Sequence, residues 1–402
     1  MSYYFITRFF YPDESSGNAL LLKLCQKLVE ENKNVCVITS NRVNNSQKKL
    51  PKKSNVYGID IVRLPTFSTK DNNILLRLMN YMIFLFNVFF YILLRLNERQ
   101  LVISMSDPPF LSVITSMACK LIGIKQIQWI QDVYPEIAKS VGLKIPFFKI
   151  LVFFRNWSIR NSYLSVVISD EMKNYFINNG IEEHKLEIIH NWTDSNQIFP
   201  IEKDVNKYYS KFVSNNKFVI GYSGNLGILH DFESVIESIK KLEDFNDIKF
   251  IFIGSGAKKE ELEKFKESYN PKNMSIFPFQ KKEVLNFTLN IPDVHLITLG
   301  KNVSPFAYPS KIYGAMAAGK PLLFIGEKNS EMFKFIEENE IGFSIENDDK
   351  DRLVEKIIYL YENGRQLKKL GLKSREVFEQ NFTFEISVKK WTEILEYAGF
   401  KN

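Results

Sequence analysis

The stretch Tyr308–Phe324, YPSKIYGAMAAGKPLLF, decides how this chain of 402 residues is read. Pro309 and Ser310 are residue types that open helices, Lys311 falls in the first turn, Gly319 ends the helix, and Pro321–Phe324 resumes as a buried strand. A helix start offers unbonded N–H groups and the positive end of a dipole, and Lys311 adds an ammonium. The segment therefore predicts a site for a phosphate-sized anion, most naturally a diphosphate. An ordinary αβ unit with a solvated lysine fits the same pattern, so the surrounding sequence has to separate the two.

Outward from this segment, short apolar runs alternate with helical patterns: Tyr3–Thr7 then Ala19–Glu31, Leu101–Met105 then Ser112–Ile122, Val166–Ser169 then Asp170–Asn179. The rhythm restarts at Phe218–Tyr222 and continues through Lys249–Ile253, Met274–Phe277 and Asp293–Thr298. It predicts an α/β protein of two Rossmann-like, doubly wound domains facing across a cleft. The expected division is 1–195 for the first domain, a polar linker 196–216, 217–380 for the second, and a C-terminal helix in 381–402 packing back toward the first.

Ligands of open parallel sheets bind beyond the carboxyl ends of the strands, and there the chain is rich in glycine. Ser15-Ser16-Gly17-Asn18, Tyr222-Ser-Gly224-Asn225-Leu-Gly227 and Gly254-Ser255-Gly256 each follow a predicted strand. None is a GxGxxG or Walker loop, which argues against dinucleotide and P-loop enzymes. Gly17, Ser16, Gly224, Asn225, Gly254 and Ser255 join Pro309, Ser310, Lys311 and Tyr313 as expected phosphate-binding residues. For Gly254 and Gly256 a plain turn is the alternative.

Asp132 and Glu136, in the segment QDVYPE, are carboxylates in a first-domain loop after an apolar strand and are candidates for catalysis beside Lys311. For Asp132 the alternative is an N-cap of a helix beginning near Tyr134. His190 and His230 receive no role. The nearest approach to a metal-binding carboxylate pair is Asp348-Asp349, in a polar loop, so metal-independent chemistry is expected.

Three cysteines, Cys25, Cys36 and Cys119, without paired spacing exclude a disulfide framework and fit a reducing cytosol. The net charge of +7 belongs entirely to residues 1–200, which carry 23 Lys and Arg against 16 Asp and Glu. Tyr81–Leu96 is apolar over nearly all its sixteen residues, about 24 Å of helix against a hydrocarbon core of about 30 Å. Monotopic insertion or a buried core helix remain open for it. Phe147, Phe148, Phe153 and Phe154 interleave with Lys149 and Arg155, the signature of a helix lying on an anionic membrane surface. Nucleic acid is not expected, because the basic residues lack interleaved RNA-type aromatic motifs.

Taken together, SGNLG, IGSGAKKEEL and YPSKIYGAMAAGKP resemble the nucleotide-sugar-binding domain of family-4 glycosyltransferases of GT-B fold. RFFYPDESSGNA, SDPPF, QDVYPE and IIHNWTD are similar to first-domain segments of the family's bacterial O-antigen and capsule branch, including L-fucosamine transferase-like enzymes. The resemblance implies a retaining hexosyltransferase that takes a sugar from a nucleotide diphosphate, UDP by kinship, to a polyprenyl diphosphate-linked saccharide at the inner leaflet of the cytoplasmic membrane. It implies no cofactor. The family's Glu-x₇-Glu pair is replaced by Phe306 and Gly314, and its usual Arg and Lys fall near Asn225 and Asp231. Lys311 is then expected to supply most of the positive charge, with Glu327 or Glu331 meeting the ribose, and Gln131 stands where the family often has a His. A sugar-nucleotide 2-epimerase of similar architecture and a non-catalytic membrane or nucleic-acid scaffold are the alternatives.

Overall fold

The computed structural model describes residues 1–13, 16–44, 48–67, 74–215 and 217–400; Ser15 of the first glycine loop and Asn216 of the linker lie outside them. The chain forms two compact units, Met1–His190 with Phe306–Tyr308 and Ser387–Asn402, and Asn191–Pro305 with Pro309–Ile386. The division therefore falls at His190 and Asn191, a few residues before the expected 195, and most of the C-terminal helix Phe384–Phe400 belongs to the first unit.

The first unit is built on β1 (Ser2–Ile6), β2 (Asn34–Ser40), β3 (Lys53–Val56), β4 (Ile59–Leu64), β5 (Gln100–Met105), β6 (Gln126–Trp129), β7 (Leu164–Val167) and β8 (Leu186–Ile188), in the order β3-β4-β2-β1-β5-β6-β7-β8. All pairings are parallel except β3 with β4. Strands such as β2 are buried along nearly their whole length because helices cover both faces, which is why they read as continuous apolar runs. The β3–β4 hairpin escaped sequence reading. KSNV is polar and half-exposed, and the turn is made by Tyr57 and Gly58 with φ of +54° and +79°.

The helices of this unit include α1 (Ser16–Glu30), α2 (Ile74–Arg95), α3 (Leu111–Ile122), α4 (Glu136–Ser140), α5 (Phe148–Asn161) and α6 (Asp170–Asn178). With 22 residues, α2 is about 33 Å long rather than 24 Å, long and apolar enough to cross a membrane by length and composition. Yet it connects β4 to β5 of one sheet, and Phe84, Leu85, Val88 and Ile92 are buried in that sheet's core. Burial of that stripe, worth about 1.5–3 kcal/mol per large apolar side chain, fixes one face of α2 to the sheet, while only 28% of its apolar span is buried.

The second unit carries β9 (Phe218–Asn225), β10 (Ile248–Ser255), β11 (Met274–Phe277), β12 (Val294–Thr298), β13 (Leu322–Gly326) and β14 (Gly342–Glu346), all parallel, in the order β11-β10-β9-β12-β13-β14. Strand order reverses between β9 and β12, so the loops after these two strands flank the crevice where such sheets hold ligands.

Candidate functional site

In the second unit the three expected parts meet at that reversal point. The end of β9 brings Gly224 so close to Lys311 that a Cβ at Gly224 would sit 3.4 Å from Lys311 Cε. A Cβ at Gly254, at the end of β10, would lie 1.9 Å from Gly224 O, so only glycine lets these two strand ends approach. Asn225 and Ser255 are exposed at the rim.

Lys311 opens the helix Lys311–Ala317 and turns its side chain back over β9. Its Nζ donates to Tyr222 Oη at 2.8 Å and to His230 Nε2 at 2.9 Å. The Tyr222 hydroxyl donates onward to Asn225 O at 2.7 Å, and His230 Nδ1 lies 2.6 Å from Thr298 O. A carbonyl only accepts, so Nδ1 carries the imidazole proton and Nε2 is a lone pair. Among the described residues two of the three ammonium N–H groups thus have partners and the third has none. Tyr222 is itself fixed by Phe232, with ring centroids 5.0 Å apart, in the core of the unit.

Desolvation lowers the Lys311 pKa from the usual lysine range to about 7. Desolvation and then the Lys311 charge push His230 down to about 3, so it is a neutral acceptor. An ammonium whose proton is loosened by burial, beside two glycines that leave room next to it, is a candidate for binding an anion. Sequence reading found Lys311 and Gly224 but missed Tyr222 and His230. Their only signal was position, at the end of one apolar strand and just after its glycine loop.

The helix start offers fewer open N–H groups than the sequence suggested. Ser310 has helical torsions and no capping hydrogen bond, and the N–H groups of Ile312 and Tyr313 are consumed by Pro309 O and Ser310 O at 3.2 and 3.3 Å. Pro309 is buried and Ser310 is exposed beside Lys311. Tyr313 points the other way, fully buried against Phe382 with ring centroids 5.2 Å apart, which removes it from the binding residues. Glu327 follows β13, and Glu331 opens the next helix, capped by Ser330.

In the first unit, Gly17 lies in the first turn of α1, with Met105 Cε 4.0 Å from where its Cβ would be, and Ser16 starts that helix. Asp132 does not cap a helix, because α4 begins four residues later behind Pro135, which eliminates the structural alternative. The backbone N–H groups of Gln131 and Asp132 donate to Ser106 Oγ at 3.1 and 3.4 Å. Desolvation, then the Asp107 charge, raises the Asp132 pKa to about 6, a value suited to accepting a proton near neutrality. Among the described residues no group of three or more His, Cys, Asp and Glu could hold a metal ion.

Two expectations are corrected here. Glu136 is 5% exposed and Arg155 7% exposed. They face each other, with Arg155 Nη2 to Glu136 Oε1 at 2.7 Å, Nη1 to Oε2 at 3.2 Å, and Tyr175 Oη donating to Oε1 at 2.6 Å. Glu136 thus ties α4, α5 and α6 together, and Arg155 is no surface cation. The substituted carboxylate position Phe306 groups with the same unit, its ring edge-on to Tyr175 with centroids 5.1 Å apart.

The other membrane candidates do face outward. Phe147 is 77% exposed, Phe153 and Phe154 are exposed, Phe148 is half-buried under Lys139, and Lys149 is exposed. The structure adds what sequence did not show: α2 and α5 both pack against α3. Leu78, Met82, Phe86 and Leu94 of α2 and Leu121 of α3 are also exposed, and none of the three helices contains an acidic residue.

Residues 206–377 match the family described as glycosyl transferases group 1. The probable glycosyltransferase WbjE of Pseudomonas aeruginosa is 27% identical over 303 residues, 74% of each chain. The putative colanic acid biosynthesis glycosyl transferase WcaI of Escherichia coli K12 is 25% identical over 285 residues, 68% of this chain and 69% of its own. The crystal structure of HepE from Anabaena in complex with UDP superposes with a TM-score of 0.75 at 14% identity, covering 99% of this chain and all of that one. The expected α/β fold with two parallel sheets, GT-B, is therefore the one this chain has.

Proposed function

We propose that this chain, whose residues 206–377 form a glycosyl transferases group 1 domain, is a retaining, metal-independent hexosyltransferase of cell-surface polysaccharide synthesis. It takes a sugar from a nucleotide diphosphate, UDP in the first instance, and adds it to a lipid-linked saccharide. The observation that carries the reading is the Lys311 chain, an ammonium with one uncommitted N–H set among Gly224, Gly254 and Asn225 where the strand order reverses. UDP is favoured because HepE was crystallised with it, and a polysaccharide product because the similar WcaI is named for colanic acid.

As the bond from sugar C1 to the diphosphate breaks, negative charge grows on the phosphate oxygens, and we assign its stabilisation to Lys311 and the backbone around Gly224 and Gly254. Asp132 is the group that takes the acceptor hydroxyl's proton. With no second carboxylate assigned as nucleophile, attack proceeds from the face the diphosphate leaves. The outward faces of α2, α3 and α5, apolar and cationic, rest on the anionic inner leaflet, where a lipid-linked acceptor resides.

The test is turnover of UDP-sugars with membranes carrying lipid-linked saccharides, reading released UDP and, by NMR, the anomeric configuration of the product. A free epimerised nucleotide sugar made without acceptor would replace the reading with a 2-epimerase. Flotation with anionic liposomes tests the surface: Phe147, Phe148, Phe153 and Phe154 changed to Ser lowers the bound fraction, and equal flotation contradicts docking through α5.

A further inference from the structure

We infer that Arg8 is the receptor for a phosphate group of the acceptor, in a site carried by the first unit alone. Arg8 follows β1 and Asp107 follows β5, and these neighbouring strands mark the point where the order of the first sheet reverses. That is where open parallel sheets place their ligands. The Arg8 N–H donates to Asp107 O at 3.2 Å, joining the two loops.

Arg8 is 4% exposed, yet its guanidinium makes no hydrogen bond or ion pair with any other described residue, and its Nε is enclosed without an acceptor. It lies instead over the ring of Tyr81, 4.0 Å from the centroid, and against Phe9 at 4.7 Å. Ring faces hold a cation without neutralising it. Asp107 acts on Arg8 through space without pairing with it, and Arg77 adds a second positive charge. A buried, unpaired charge is among the costliest features a fold carries, and it persists where a ligand completes it.

The planar guanidinium fork suits two oxygens of a phosphate. Arg77 and Tyr81 belong to α2, whose next outward residues are Met82 and Phe86, both exposed. A ligand with a charged head at Arg8 and an apolar chain along α2 has the chemistry of a prenyl diphosphate. The choice of ligand rests on the lipid-linked acceptor proposed above.

Isothermal titration of the full chain with farnesyl diphosphate tests it, with UDP and farnesol as the other arms. Arg8→Met is expected to weaken farnesyl diphosphate about tenfold or more, as loss of a bond to a charged group does, while leaving UDP and farnesol unchanged. Arg8→Lys falls between. Because Met removes an unpaired buried charge, the Arg8→Met protein melts no lower than wild type.

Unchanged farnesyl diphosphate binding in Arg8→Met, or none by wild type, overturns the inference. Equal weakening of UDP moves the phosphate to the donor and also overturns it, as does a melting temperature lowered by more than about 5 °C, which would make Arg8 a paired structural residue. The two readings fail separately. UDP binding that survives a negative farnesyl diphosphate result keeps the donor site, and an Arg8-dependent farnesyl diphosphate site in a chain that ignores UDP keeps only this one.

Discussion

Replacing Lys311 by Ala removes the ammonium beside Gly224, and its consequence depends on pH in a way the geometry fixes. The one uncommitted N–H of Lys311 is a hydrogen bond from a charged donor to phosphate, worth about 1.5–3 kcal/mol, so Lys311→Ala weakens UDP-glucose about 10- to 150-fold at pH 6. The free lysine has a pKa of about 7. An anion prefers the ammonium, so below pH 7 the site is charged before the ligand arrives. Above pH 7 binding must take up a proton, and wild-type affinity falls about tenfold per unit until it meets that of Lys311→Ala. The same shift has the opposite sign for stability. The folded pKa lies below the ordinary lysine value, so the penalty is present in full below pH 7 and fades as pH rises toward the unfolded value. Lys311→Met therefore raises the melting temperature at pH 6 and much less near pH 10. Calorimetric titration from pH 6 to 9 checks the affinity. A Lys311→Ala affinity within threefold of wild type at pH 6, or a wild-type affinity flat across the range, refutes the reasoning.

Asp132→Asn abolishes most turnover without unfolding the chain. The wild-type rate carries an acid limb near pH 6, and because the folded pKa is raised, Asn adds stability at pH 8 but not at pH 4; unchanged turnover dismisses the catalytic role. Arg155→Met strands the Glu136 carboxylate and costs about 3–5 kcal/mol in denaturant unfolding, whereas a cost under about 1 kcal/mol shows the pair to be solvated. Gly254→Ala drives a methyl into Gly224 O and removes nucleotide binding while leaving the first unit folded, as circular dichroism and titration with UDP can show.

Strand positions were legible in the sequence because parallel strands covered on both faces are continuous apolar runs; Leu101–Met105 is found where it was expected. The β3–β4 hairpin was not, since its first strand is polar and half-exposed. Lys311 and the glycines were legible through residue types that need special backbone or charge. His230 and Tyr222 were not, because their roles arise from a hydrogen-bond chain between loops 81 and 89 residues apart in sequence from Lys311. Arg155 was misplaced for a related reason: an arginine in a basic, aromatic helix looks like a surface cation until its buried partner Glu136, 19 residues earlier, is seen.

Thermal unfolding of the purified chain with UDP, GDP, CDP and TDP, each in excess EDTA, tests the central claim most directly. One of the four, UDP first, is predicted to raise stability by about 2.7 kcal/mol at a hundred times its dissociation constant, and to lose that effect in Lys311→Ala. No stabilisation by any of them, or an effect that survives Lys311→Ala intact, contradicts a nucleotide diphosphate held by Lys311 and the glycine loops of the second unit.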